Sequence, residues 1–183
     1  MVAYLNIHTS YDLLNSSLRI SDVVKKAKNE GVEHLAITDT NVLYGYPKFY
    51  DACLEAGIHP VFGMTVYLTD GLYQLETVLL AQNNDGLKDL YQLSSAIKMK
   101  EKEDIPIEWL KRYANHLIII FKGVEEHHQL FIEAFHDKKH VYLNQDCIAL
   151  ENRSFVWLNT MRYLNKEDAD TISALQALKE NSK

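Results

Sequence analysis

Short β-prone runs alternate with helix-forming stretches along most of this chain, with glycine or proline at many of the joints. That alternation leads to parallel strands with helices packed outside them, so the expected fold class is α/β. Val2 to Ile7 is strand-like. Ser21 is placed to cap a helix with Val23, Val24 and Ala27 on one face, and Gly31 falls at its left-handed C-terminal position. The strand His34 to Thr38 follows at once, and Pro47 opens a helix carrying Phe49, Tyr50 and Leu54 that stops at Gly57. Ile58 to Leu68 reads as a strand with a bend at Gly63, and the Asp70-Gly71 turn before Tyr73 to Ala81 predicts a hairpin that locally breaks the alternation.

Further on, "NNDG" at Asn83 to Gly86 opens a helix through Leu90 and Leu93, and Pro106 opens another with Trp109 and Leu110. Leu117 to Phe121 is a continuous apolar run of the fully buried kind. Glu125 to Phe135 reads as helix, and Val141 to Leu143, Cys147 to Leu150 and Phe155 to Leu158 as short strands. A last helix, Glu167 to Leu178, aligns Ile172, Leu175 and Leu178, and runs on to "KENSK" without a stop signal. The chain therefore reads as a fragment of a longer protein.

The 183 residues, 47% hydrophobic and 24% charged, suffice for one sizeable core, so a single domain over 1–183 is expected. The N-terminus lacks the basic start and apolar stretch of a secretory signal, and no apolar run approaches the ~20 residues of a membrane span. A cytoplasmic protein with no membrane partner is the expectation. Cys53 and Cys147 form no C-x-x-C pattern and read as buried or incidental thiols. The net charge of -6 argues against a domain that grips nucleic acid by itself, which needs a basic stripe to replace phosphate counterions. "KMKEKED", Lys98 to Asp104, alternates in sign and reads as a solvated helix end or loop.

In barrels of parallel strands, chemistry sits at the C-terminal strand ends. The residues there are Asn6 and His8, Asp39 and Thr40, Thr65 and Glu76, and Thr160 and Arg162. A phosphoester-cleaving metal site needs imidazoles and carboxylates converging from several such ends. This set cannot supply them, because Asn and Thr are weak neutral ligands and Arg162 repels a cation.

Four blocks in order, "YLNIHTSYDLLN", "LAITDTNVLYG", "GIHPVFGMTVYL" and "YLNKEDAD", resemble the N-terminal PHP (polymerase and histidinol phosphatase) domain of bacterial DNA polymerase III alpha subunits of the DnaE type. The resemblance implies a distorted (β/α)7 TIM-like barrel of about seven strands. It also implies where ligands would stand. The family's His-x-His falls on Asn6 and His8, its next acidic residue on Asn15, and its Thr-Asp-His on Thr38, Asp39 and Thr40. Its Gly-x-Glu places Thr65, its histidine before "LLA" falls on Glu76, and its late Asp-x-His on Thr160 and Arg162. Asn6, His8, Asn15, Thr40, Thr65, Glu76, Thr160 and Arg162 are thus vestigial ligand positions, with no catalytic residue, no metal and no cofactor expected here. His8, Asp39 and Glu76 are the candidates for a retained polar site.

His8 is read as hydrogen-bonding a neighbour, Asp39 as capping backbone, and Glu76 as pairing with Arg162 in place of ion attraction. Glu125, Glu126, His127, His128, His136 and His140 read as a solvated helix face, since adjacent helical residues point about 100° apart. Tyr44, Tyr46, Trp109 and Trp157 read as core and interface packing rather than base stacking. The leading expectation is a non-catalytic module of a polymerase whose Mg²⁺-binding aspartates lie beyond Lys183, with the polymerase body, DNA and other replisome subunits as partners. The alternatives are a metal-dependent phosphoesterase or 3'-5' exonuclease, and a free-standing binding module.

Overall fold

The computed structural model describes residues 3–100, 103–147 and 154–181, without the side chains of 166, 176 and 179–181. The elements are β1 (Ala3–Ile7), α1 (Ile20–Asn29), β2 (His34–Ile37), α2 (Tyr46–Ala56), β3 (His59–Thr69), β4 (Gln74–Ala81) and α3 (Asn84–Met99). There follow β5 (Asp104–Pro106), α4 (Ile107–Tyr113), β6 (Leu117–Phe121), α5 (Gln129–Ala134), β7 (Val141–Asn144), β8 (Ser154–Val156) and α6 (Ala169–Asn181). They fall into two compact units, residues 1–62 with 159–183, and residues 63–158.

In the first unit, α1 buries Ile20, Val23, Val24 and Ala27, a stripe at helical spacing. It starts one residue ahead of Ser21, with Arg19 at the cap position and no side-chain cap. Ser21 therefore sits in the first turn. In α2 the buried stripe is Tyr46, Phe49 and Cys53. Tyr50 and Leu54, one residue on from the last two and so about 100° round the axis, stay 45% and 56% exposed. Gly57 ends α2 with φ 73°, a left-handed conformation that glycine adopts without a Cβ clash. Strand β1 runs parallel to β2, Ala3 opposite His34 and Ile7 opposite Ile37, and β2 runs parallel to His59–Phe62 of β3. This register puts residues 7–9 beside 37–39 at adjacent strand ends. Met161 bridges to Ile7 in parallel sense.

In the second unit, β3 from Gly63 onward pairs antiparallel with β4, Gly63 opposite Leu80 and Thr69 opposite Gln74. Gly63 is where the strand exchanges β2 for β4 as partner. The hairpin turn is held by Asp70 Oδ1, which accepts the N–H groups of Leu72 and Tyr73, while Gly71 takes φ 99°. Strand β6 is antiparallel to β4, and β6, β7 and β8 are parallel in sequence. The hairpin expected at Asp70-Gly71 thus breaks the parallel run, because so short a turn can join only antiparallel strands. Helix α3 is capped by Asn83, whose Oδ1 accepts from the Asp85 and Gly86 N–H groups. A Cβ on Gly86 would stand 2.2 Å from the His116 carbonyl oxygen, so only glycine allows this approach.

Some local expectations need correction. Lys98 to Lys100 end α3 in solvent as expected, but Asp104–Pro106 forms β5, parallel to β3. Cys147 lies in a turn after β7, its amide bonded to the Asn144 carbonyl, and residues 148–150 of that expected strand lie outside the described residues. On α6 Ile172 is buried, but Leu178 is 60% exposed. Of the aromatics, Tyr46 is buried against Phe62 at 4.7 Å and the Trp109 ring carries Lys100 Nζ at 4.6 Å. Tyr44 and Trp157 are 66% and 70% exposed. No helix among the described residues is long and apolar enough to cross a membrane.

Candidate functional site

Because β1 and β2 are parallel neighbours, the segments that leave their C-terminal ends meet within the first unit. Asn6 lies between two hydroxyls: its Nδ2 donates to Thr160 Oγ1 at 2.8 Å, and its Oδ1 accepts from Thr38 Oγ1 at 2.7 Å. The His8 amide donates to the Met161 carbonyl, and the Arg162 carbonyl accepts from the Ser17 amide. Ser16 Oγ stands 2.6 Å from the His8 carbonyl and 2.9 Å from that of Arg162, sharing its single proton between them.

The centre of this region is Asp12, a residue that sequence reasoning passed over. The residue is 3% exposed. Oδ2 accepts from His8 Nδ1 at 2.6 Å, from the Thr40 amide at 3.0 Å and from Thr40 Oγ1 at 2.8 Å, and Oδ1 accepts from Asn15 Nδ2 at 2.5 Å. A carboxylate can only accept here, so the shared proton sits on His8 Nδ1. Burial pushes the Asp12 carboxyl up, but the donors from His8, Asn15 and Thr40, with the positive side of His8, outweigh it and hold the group below the usual carboxylate range. An acid four residues after a strand-end histidine, in a polar loop, was the available signal.

Asp39 lies beside this network. Its Oδ1 accepts from the Thr9 amide at 2.5 Å and its Oδ2 from Thr9 Oγ1 at 2.7 Å, the backbone-capping role expected of it. Burial pushes its carboxyl up to about 6, against the pull of the two Thr9 donors. His8, Asp12 and Asp39 together form a group whose ligand atoms lie within 4.8 Å of one another.

Does this group fit an ion? Two donors on one tetrahedral zinc, each at about 2.0–2.1 Å, stand roughly 3.3 Å apart. His8 Nδ1 and Asp12 Oδ2, at 2.6 Å, share a proton instead. Every carboxylate oxygen of the pair already accepts from N–H or O–H groups. One feature of an ion site remains: His8 Nε2 is buried with no hydrogen-bond partner. With neutral Asn6, Asn15 and Thr40 around one imidazole and two carboxylates that already accept from N–H and O–H groups, the residues present do not fit the set of imidazoles and carboxylates of the family's metal-binding version.

The other expected positions belong to the second unit. Thr65 is buried in β3 and its hydroxyl has no partner. Glu76, on β4, forms its ion pair with Lys122 rather than with Arg162, and the backbone joins them too, Lys122 N–H donating to the Glu76 carbonyl. The pairing follows from register: Thr77 stands opposite Phe121, so Glu76 and Lys122 are the next residues along. His128 also departs from expectation. It is buried, its Nδ1 accepting from the Glu125 amide at 3.1 Å and its Nε2–H donating to the Gln74 carbonyl at 3.1 Å. It closes a capping box with Glu125, and the spacing of three was the legible signal. His127 stays partly exposed against Tyr73, with ring centroids 4.3 Å apart. Cys53 is buried, its thiol pushed up to about 12 by burial.

The family model of the PHP domain matches residues 5–155, most of the chain, and the chain belongs to that family. Over all 183 residues it is 64% identical to the DNA polymerase III subunit alpha of Staphylococcus epidermidis and 56% identical to that of Staphylococcus aureus. It spans 17% of the length of each of these relatives. Among solved structures it resembles an amidohydrolase from Chromobacterium violaceum, with a TM-score of 0.61 and 9% identity over 94% of this chain and 96% of that one. It also resembles a protein of Bifidobacterium adolescentis described as a metal-dependent phosphoesterase, with a TM-score of 0.52 and 11% identity over 97% and 84%. The fold is α/β, as the alternation of strands and helices required.

Proposed function

We propose that residues 1–183 are the single N-terminal PHP domain of a cytoplasmic DNA polymerase III alpha subunit and serve there as a non-catalytic platform. The observation that carries the catalytic half of this reading is the Asp12 network. His8, Asn15 and Thr40, three positions where the family's metal-binding version has ligands, each give a side-chain hydrogen bond to one carboxylate. The polymerase half is supported by 64% identity along the whole chain to a polymerase subunit of which it spans 17%.

In this reading the host chain extends primed DNA from deoxynucleoside triphosphates with Mg²⁺ bound outside this domain. DNA and other replisome subunits are met through the rest of that chain, in keeping with the net charge of -6 here. A phosphoesterase or 3'-5' exonuclease is favoured by the His8, Asp12 and Asp39 group and by the unpartnered His8 Nε2, but the carboxylates of that group already accept from N–H and O–H donors and their neighbours Asn15 and Thr40 are weak neutral ligands. The test uses the full-length polymerase, wild type and His8→Ala, in primer extension and, without nucleotides but with Zn²⁺ or Mn²⁺, in primer degradation. Equal extension by both and no His8-dependent degradation is the expected result. Ion-stimulated degradation that His8→Ala abolishes would overturn the non-catalytic reading.

A further inference from the structure

We infer that the Asp12 carboxylate takes the structural place of a bound ion in the first unit, with the polarity of the site inverted. This deepens the non-catalytic reading and rests on it. A metal site is a cation ringed by lone pairs, which ties together the loops that supply them. Here the centre is an anion ringed by hydrogens: His8 Nδ1–H, Asn15 Nδ2–H, the Thr40 N–H and the Thr40 hydroxyl. They reach Asp12 from the end of β1, from the loop after it and from the segment after β2, so one buried carboxylate links three stretches of chain.

Backbone geometry points the same way. The non-glycine residues with left-handed backbone among the described residues are Leu14 at φ 62° and Asn41 at φ 60°. Leu14 immediately precedes Asn15, and Asn41 immediately follows Thr40. A leucine in that conformation is held there only by its surroundings. Both unusual residues adjoin a donor to Asp12, which is where a hub that over-determines the loops has to act. The amides of Asn15 and Ser16 add a turn around the same residue by donating to the Asp12 carbonyl.

The test is hydrogen–deuterium exchange on the full-length protein, read on peptides covering residues 4–18 and 34–43. Asp12→Asn keeps the size but loses the charge and one acceptor, and exchange there is expected to quicken roughly ten- to hundredfold, with distant peptides unchanged. Thr40→Val removes one donor and serves if Asp12→Asn does not fold; it is expected to quicken exchange in both peptides by a smaller factor. Combined with Asp12→Asn it should add less than its own effect. Wild-type exchange rates in Asp12→Asn, or in Thr40→Val where that variant alone folds, would overturn the inference. Zn²⁺ or Mn²⁺ added to wild type separates the two claims. Slowed exchange in these peptides would sink the non-catalytic reading and this inference with it, whereas no ion effect together with an inert Asp12→Asn sinks the inference alone.

Discussion

The Thr65 hydroxyl is buried without a partner, and an unsatisfied buried polar group costs about 1–3 kcal/mol. Thr65→Val, which removes that group at nearly constant volume, is expected to stabilise the chain by about 1 kcal/mol, read as a rise in Tm. Asp39 gives a prediction of opposite character. Its folded pKa of about 6 lies above the ordinary carboxylate value, so the folded state holds this proton more tightly than the unfolded chain does. Its contribution to stability is therefore complete below the unfolded pKa of ~3.9 and lost as pH rises through about 6. Denaturant unfolding of wild type and Asp39→Asn between pH 4 and 7 checks this: wild type should lose stability relative to the variant as pH rises. Asp12 works the other way, its depressed pKa giving stability that is lost only as pH falls through that lowered value.

Among the elements, the hairpin of β3 and β4 and the register of β4 with β6 decide which charges meet. Lys122 has only 11% of its side chain exposed and Glu76 25%, so the pair is partly desolvated. Lys122→Ala is expected to cost about 1–2 kcal/mol in thermal unfolding, while Arg162→Ala leaves Tm within error. The turn of this hairpin was legible in Asp70-Gly71, and the starts of α2 and α3 in Pro47 and Asn83, because each is a local signal with its own backbone mechanism. Strand β5 was not, since Asp104 and Pro106 are poor strand formers, and only pairing with Tyr67 to Thr69 makes them a strand. The Glu76 partner was not legible either, because register across strands is set by tertiary pairing. Arg162 stands at a position where the resemblance places a family ligand and Lys122 does not, so the resemblance pointed to the wrong cation.

For the molecule as a whole, the family was legible in four ordered blocks and agrees with a match over residues 5–155. The Asp12 network was not legible: Asp12 stands at none of the positions where the resemblance puts the family's ligands, so only the folded arrangement reveals it as the common partner of His8, Asn15 and Thr40. In the non-catalytic reading proposed above, these side chains bind each other and not an ion. The most direct test of that reading is zinc and manganese per chain by elemental analysis of the full-length protein, wild type and His8→Ala, after incubation with both ions and exhaustive buffer exchange. The two proteins are expected to hold the same ion content; an extra ion in wild type that His8→Ala loses would mean that this site binds an ion.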